Sequence, residues 1–229
     1  AGEEVPLAVA FIGILDWGTN GLPEEEAHEV AQRFRDTVVP IVERHNGYVA
    51  QLLDDGVMAY WGWTPAAAGA GAAGSRRVLE NPELDAIDAG FDVLRAAIAL
   101  NDALAAQRAY DGDGDAAATK GFRIRPRMGI HTGGGIMAVV GGGGGSKAEE
   151  LMLGRVPNIA ARLTYMSKRE NVVDPADMPS LGGVEKLYIA GQSGALVVSE
   201  AVFRHVNAAP ADRRYETQNW GRRALKGVT

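Results

Sequence analysis

The order of elements written in the sequence predicts an α+β fold, a ferredoxin-like β-α-β-β-α-β core with further elements appended on its C-terminal side. Three observations carry that prediction. A short apolar, partly β-branched run occupies residues 5–14; an amphipathic helix, a tight Asp-Gly hairpin and a second long helix follow it; another strand region lies beyond, at residues 122–140.

The opening run VPLAVAFIGI is too short and too evenly apolar for a surface helix and reads as a buried strand. Pro23 and the carboxylates Glu24, Glu25 and Glu26 then suit the first turn of a helix, where proline loses no hydrogen bond and negative charge meets the positive end of the dipole. Val30, Phe34, Val38, Val39 and Val42 recur at three- and four-residue steps, so one face of that helix packs inward to about Arg44. Asn46-Gly47 ends it. Residues 48–53 and 57–61 are short apolar runs flanking Asp54-Asp55-Gly56, a hairpin signal through a turn that takes positive φ.

Residues 64–75 are a loop of small residues, and 84–109 form a second amphipathic helix. The alternating aspartates at 111, 113 and 115 imitate a calcium loop, but its sixth and twelfth positions hold Ala116 and Phe122 instead of Gly and Glu, so a solvated loop is expected. Residues 122–130 and 135–140 read as a strand pair around His131-Thr132-Gly133, with His131 structural. Strand 149–153, helix 156–166 and a strand running into a short helix over 195–204 complete the series, before a short basic tail at 222–229. Nothing marks a linker or an internal repeat, so residues 1–229 are expected to form a single domain.

The chain of 229 residues carries 23 Lys and Arg against 29 Asp and Glu, a net charge of −6, which argues against a binder of duplex nucleic acid. It has no cysteine, which removes disulfides, thiolate metal sites and cysteine nucleophiles. No apolar run approaches the roughly 20 residues of a membrane span, and the acidic start lacks the basic segment of a signal peptide. A cytoplasmic protein is the expectation. Glycine numbers 30 and clusters at 133–135 and 141–145. The second cluster lacks the pattern of a phosphate-binding P-loop, with hairpin expected on both sides, and reads as a flexible turn.

Four segments occur in a telling order: Phe11-Ile12-Gly13-Ile14, Leu53-Asp54-Asp55-Gly56-Val57-Met58-Ala59, Met128-Gly129-Ile130-His131-Thr132-Gly133, and Leu153-Gly154-Arg155-Val156-Pro157-Asn158-Ile159-Ala160-Ala161-Arg162-Leu163. Together they resemble the catalytic domain of class III nucleotidyl cyclases over about residues 7–228. The resemblance implies attack of a ribose 3′-hydroxyl on the α-phosphate of the same nucleoside triphosphate, with Mg²⁺ or Mn²⁺ as cofactor and a head-to-tail homodimer with active sites at its interface.

It also implies residue roles. Asp55 matches the metal aspartate at the hairpin tip; the alternative is a turn aspartate chosen for its backbone. The first metal aspartate of the family falls on Gly13, while Asp16 stands where the family has glycine, as if the two had exchanged places. Either Asp16 or Asp54 substitutes, with Asp55, Asp16 and Ile14 as the metal set, or metal binding is impaired. Asn158 and Arg162 share one helix face and match the pair that orients the ribose and stabilises the transition-state phosphate. Lys226, in Leu225-Lys226-Gly227, resembles the family's phosphate-binding lysine.

Base choice in the family rests on two side chains, Lys with Asp for adenine and Glu with Cys for guanine, and their matches here are Gln51 and Leu151. Neither purine pair is present. One amide and one apolar wall suit a smaller base, with Tyr48 able to narrow the pocket, although strand alternation would set Tyr48 and Gln51 on opposite faces. Small free-standing cyclases that make cyclic UMP or cyclic CMP in bacterial anti-phage signalling are similar in size and layout. The expected substrate is therefore UTP or CTP; the alternatives are an adenylate cyclase acting on ATP and a catalytically impaired, nucleotide-binding dimerisation domain.

Overall fold

In the computed structural model, residues 3–19, 21–64, 75–76, 79–111, 122–140, 149–166 and 194–207 are described. The elements are β1 (Glu3–Ile14), α1 (Glu24–Arg44), β2 (Tyr48–Leu53), β3 (Gly56–Trp61), β4 (Trp63–Thr64), β5 (Ser75–Arg76), α2 (Pro82–Asp111), β6 (Pro126–Val140), β7 (Glu149–Leu153), α3 (Arg155–Met166), β8 (Ala195–Val198) and α4 (Glu200–Asn207). Lys226, the glycines at 141–145 and the aspartates at 113 and 115 lie outside the described residues.

The main sheet runs β2-β3-β1-β6-β7, with β8 also paired to β6. Its first four strands in that order, all antiparallel, are the ferredoxin-like core. Strands β7 and β8 are the appended elements, the first antiparallel and the second parallel to β6. Period-two alternation divides β1 between two apolar layers. Ala8, Ala10, Ile12 and Ile14 pack with Val30, Phe34 and Val38 of α1 and Leu84, Ile87 and Val93 of α2. Val5, Leu7 and Val9 pack on the other side with Tyr60, Met137 and, from α3, Val156 and Ala160.

Pro23 sits one place earlier than expected, at the cap, with extended dihedrals (φ −55°, ψ 149°), and the three glutamates form the first turn. Pro40 lies inside α1, yet the helix continues to Arg44. The buried side chains of Val38, Ile41 and Val42 offset the missing hydrogen bond, at about 1.5–3 kcal/mol each.

Three sequence expectations are corrected. Residues 126–140 form one strand instead of a pair, because β1 is long enough to pair with it from Ile14↔Pro126 to Glu3↔Met137, straight through the glycines at 133–135. The hairpin turn at Asp54-Asp55 uses no positive φ; among the described residues positive φ belongs to Asp16, Asn46, Gly21, Gly62 and Gly154. Gly56 is needed for space, since a Cβ there would stand 1.9 Å from the carbonyl oxygen of Ile12. Lastly, β2 carries a bulge between Val49 and Gln51, so Tyr48 pairs with Tyr60 and Gln51 with Met58. Tyr60 and Met58 are two apart on β3, so the extra residue brings Tyr48 and Gln51 to the same face, the one that α3 covers.

Candidate functional site

Three strands converge where β1 ends. Gly13 pairs with Arg127 on β6, and the β2–β3 turn sets Asp55 against the other side of β1. A Cβ on Gly13 would lie 2.8 Å from Asp55 Oδ2, so the position matching the first family aspartate does point at the second. With no side chain at Gly13, the Arg127 side chain crosses the bare backbone and Nη2 donates to Asp55 Oδ2 at 2.9 Å. The backbone N–H of Ile14 donates to the same oxygen at 3.3 Å. The Tyr165 ring of α3 covers the guanidinium, with Cζ 5.2 Å from its centroid. The Nε–H of Arg127 is buried and has no partner among the described residues.

The hairpin tip is held from behind. Arg35, buried on α1, donates through Nη1 to the carbonyl oxygens of Leu53 at 3.0 Å and Asp54 at 2.8 Å. Its Nη2 donates to Gln32 Oε1 at 3.1 Å. One guanidinium thus fixes the backbone on which Asp55 is mounted, while Asp54 itself is exposed.

Asp16 follows the end of β1 at φ 57°, in the conformation that glycine adopts without cost, which agrees with its standing where the family has glycine. Its carboxylate accepts from Arg125 Nη2 at 2.7 Å. The two aspartates therefore go to different arginines, Asp16 to Arg125 and Asp55 to Arg127. Among the described residues no three His, Asp or Glu side chains gather as a metal set.

The divalent pair implied by the resemblance does not fit this donor set. Two hard cations need shared carboxylates, and here one aspartate is a glycine, one is turned to Arg125, and the third already carries the positive charge of Arg127.

Helix α3 lies close to the sheet because Gly129 lets it: a Cβ there would be 2.3 Å from the Thr164 nitrogen and 2.4 Å from the Ala160 oxygen. Val156, Ala160, Leu163 and Thr164 face the sheet. Asn158 and Arg162 fall within about 40° of arc on the other side. Asn158 is exposed, its Nδ2 donating to the Gly154 carbonyl at 3.4 Å, and Arg162 is half-buried. Among the described residues, one chain does not bring Asp55 into hydrogen-bond contact with either. Gln51 is exposed on edge strand β2, Leu151 pairs with Ala138 in β7, and three strands lie between theirs. Tyr48 is exposed and rests against Tyr60, ring centroids 5.3 Å apart.

His131 stands apart from this cluster. Its Nδ1 lies 2.8 Å from Ser199 Oγ, tying β6 to the start of α4, as a structural histidine would. Arg127, Arg35 and Tyr165 were missed in the sequence. Arg35 had a signal, since it interrupts the apolar stripe of Ala31, Phe34, Val38 and Val42; Arg127 had none short of the strand register.

No family model matches the chain, and no curated protein does. Solved structures do. The adenylyl cyclase CyaB from P. aeruginosa superposes with a TM-score of 0.67 at 17% identity, covering 100% of this chain and 91% of that one. The guanylate cyclase domain of RhGC from Catenaria anguillulae, solved in complex with GTP, gives 0.57 at 14% identity over 90% and 85%. The guanylyl cyclase Cya2 gives 0.52 at 16% identity over 72% and 71%. The chain has the fold of class III nucleotidyl cyclase catalytic domains. No helix among the described residues is long and apolar enough to cross a membrane.

Proposed function

We propose that the chain is a nucleotidyl cyclase that converts a nucleoside triphosphate to its 3′,5′-cyclic monophosphate. The ribose 3′-oxygen bonds to the α-phosphorus, the bridging oxygen to the β-phosphorus departs with pyrophosphate, and the hydroxyl proton passes to water. The observation that carries this reading is the Asn158–Arg162 stripe, held outward on α3 of a cyclase fold. The planar fork of Arg162 suits charge developing on the α-phosphate, and the amide of Asn158 suits the ribose oxygens. Lys226 adds a cation for the departing pyrophosphate.

Because the stripe faces away from the sheet, the reading uses two copies of the chain, each offering Asn158 and Arg162 to the Asp55 end of the other in a cytoplasmic homodimer. UTP or CTP is the favoured substrate. Its support is Gln51 in place of a charged base-reading side chain, with Tyr48 on the same face to reduce the pocket. On this reading the product is a second messenger, and its role is in bacterial anti-phage defence. Gly13 favours one competing function, a nucleotide-binding dimer without turnover.

The test is incubation of purified chain with each of the four nucleoside triphosphates, in Mg²⁺, in Mn²⁺ and in EDTA, with products identified by mass spectrometry. Cyclic UMP or cyclic CMP is expected, lost in Asn158→Ala and Arg162→Ala. Cyclic AMP as the main product would overturn the base assignment, and no cyclic product from any nucleotide would overturn the enzyme reading.

A further inference from the structure

The place where a divalent ion would bind Asp55 is already taken by a positive charge of this chain's own. Arg127 crosses β1 beside its cross-strand partner Gly13, where a side chain would crowd the carboxylate that the arginine holds: a Cβ there would lie 2.8 Å from Asp55 Oδ2. The pair is largely shielded, the side chains of Asp55 and Arg127 being 14% and 17% exposed. Tyr165 closes over the guanidinium, and the orphaned Nε–H shows that the reach is accepted at the cost of a buried donor. A divalent ion approaching Asp55 meets a carboxylate whose charge is neutralised and a neighbouring cation that repels it.

We propose that Arg127 is the resident cation of Asp55, replacing a divalent ion there, and that the chain takes up nucleoside triphosphate without a metal held between its own carboxylates. The second clause rests on the cyclase reading for its ligand; the first does not.

Titrating Mn²⁺ alone into the chain, with free Mn²⁺ followed by electron paramagnetic resonance, tests the first clause. The wild-type chain is expected to show no saturable site below about 1 mM, the weak end of the range for protein-bound divalent ions. Gly13→Asp places a second carboxylate against the first and displaces the flexible end of Asp55 from Arg127, so it is expected to gain one site at least tenfold tighter. Arg127→Met, which removes the cation without adding a carboxylate, is expected to bind Mn²⁺ more tightly than wild type. Saturable wild-type binding that Asp55→Asn abolishes would overturn the proposal, as would Arg127→Met binding no better than wild type.

UTP binding by calorimetry, in EDTA and in Mg²⁺, tests the second clause. Affinities within twofold of each other are expected, and a tenfold or greater gain in Mg²⁺ would overturn it. If no nucleotide binds in either buffer, the cyclase reading fails, while the Mn²⁺ titration still decides the role of Arg127.

Discussion

Arg127 and Asp55 meet at 2.9 Å across a glycine, and a Cβ at position 13 would stand 2.8 Å from the carboxylate oxygen that the arginine holds. The sheet register makes this a three-strand device: β6 supplies the arginine, β1 the gap and the β2–β3 turn the carboxylate. Charges as shielded as these are costly to leave single. Arg127→Ala is therefore expected to destabilise the fold by about 2 kcal/mol in urea unfolding. The double variant Arg127→Ala/Asp55→Ala should lose less than the two single variants summed, with a coupling of about 1 kcal/mol or more. Strict additivity would mean that the ion pair contributes nothing.

Arg35 acts on the same carboxylate from a distance, by fixing two carbonyl oxygens of the turn. Removing it strands those acceptors against α1, so Arg35→Ala should cost about 2 kcal/mol of stability. It should also lower nucleotide affinity more than the stability loss alone explains at temperatures where the protein stays folded. Arg35→Lys keeps a cation for the two carbonyls that Nη1 holds but loses the second nitrogen that holds Gln32, and a partial rescue is expected. If Arg35→Ala binds nucleotide as wild type does while being less stable, Arg35 supports the core and does not position the site.

These two arginines mark how much of the site was legible in the sequence. The fold could be read because its signals are local: the apolar run at residues 5–14, the spaced valines of α1 and the Asp-Asp-Gly turn each depend on neighbours in the chain. Asn158 and Arg162 were legible for the same reason, being four apart on one helix. The Asp55–Arg127 contact joins residues 72 apart through a strand register that composition does not fix. The bulge between Val49 and Gln51 is of the same kind, since one extra residue in β2 reverses which face Tyr48 occupies. Gly13 could be seen as a missing ligand, but not as the gap through which an arginine passes.

The seating of α3 hangs on Gly129. Adding a methyl group there drives a Cβ into the helix backbone at Thr164 and Ala160, rigid atoms that cannot turn aside. Gly129→Ala should therefore push α3 from the sheet, costing about 3 kcal/mol or more and weakening protection of the α3 amides in hydrogen exchange. Gly134→Ala is the control. There the nearest atom is Oε1 of Glu4, the end of a flexible side chain, so about 1 kcal/mol or less is expected. Equal losses at the two positions would show that the close approach of α3 does not set the cost.

His131 gives the fold a pH dependence of defined sign. Burial penalises its cationic form and pushes its pKa below the ordinary 6.5. As pH falls, the unfolded chain binds this proton before the folded one does, so the neutral imidazole beside Ser199 contributes fully above pH 6.5 and its contribution declines below it. His131→Gln keeps a hydrogen-bonding group near Ser199 and removes the titration. Thermal midpoints of the two proteins should therefore converge as pH is lowered from 7.5 toward 5, the wild type losing the larger share. A gap between wild type and His131→Gln that is unchanged over that range would show that proton uptake at His131 is not linked to unfolding.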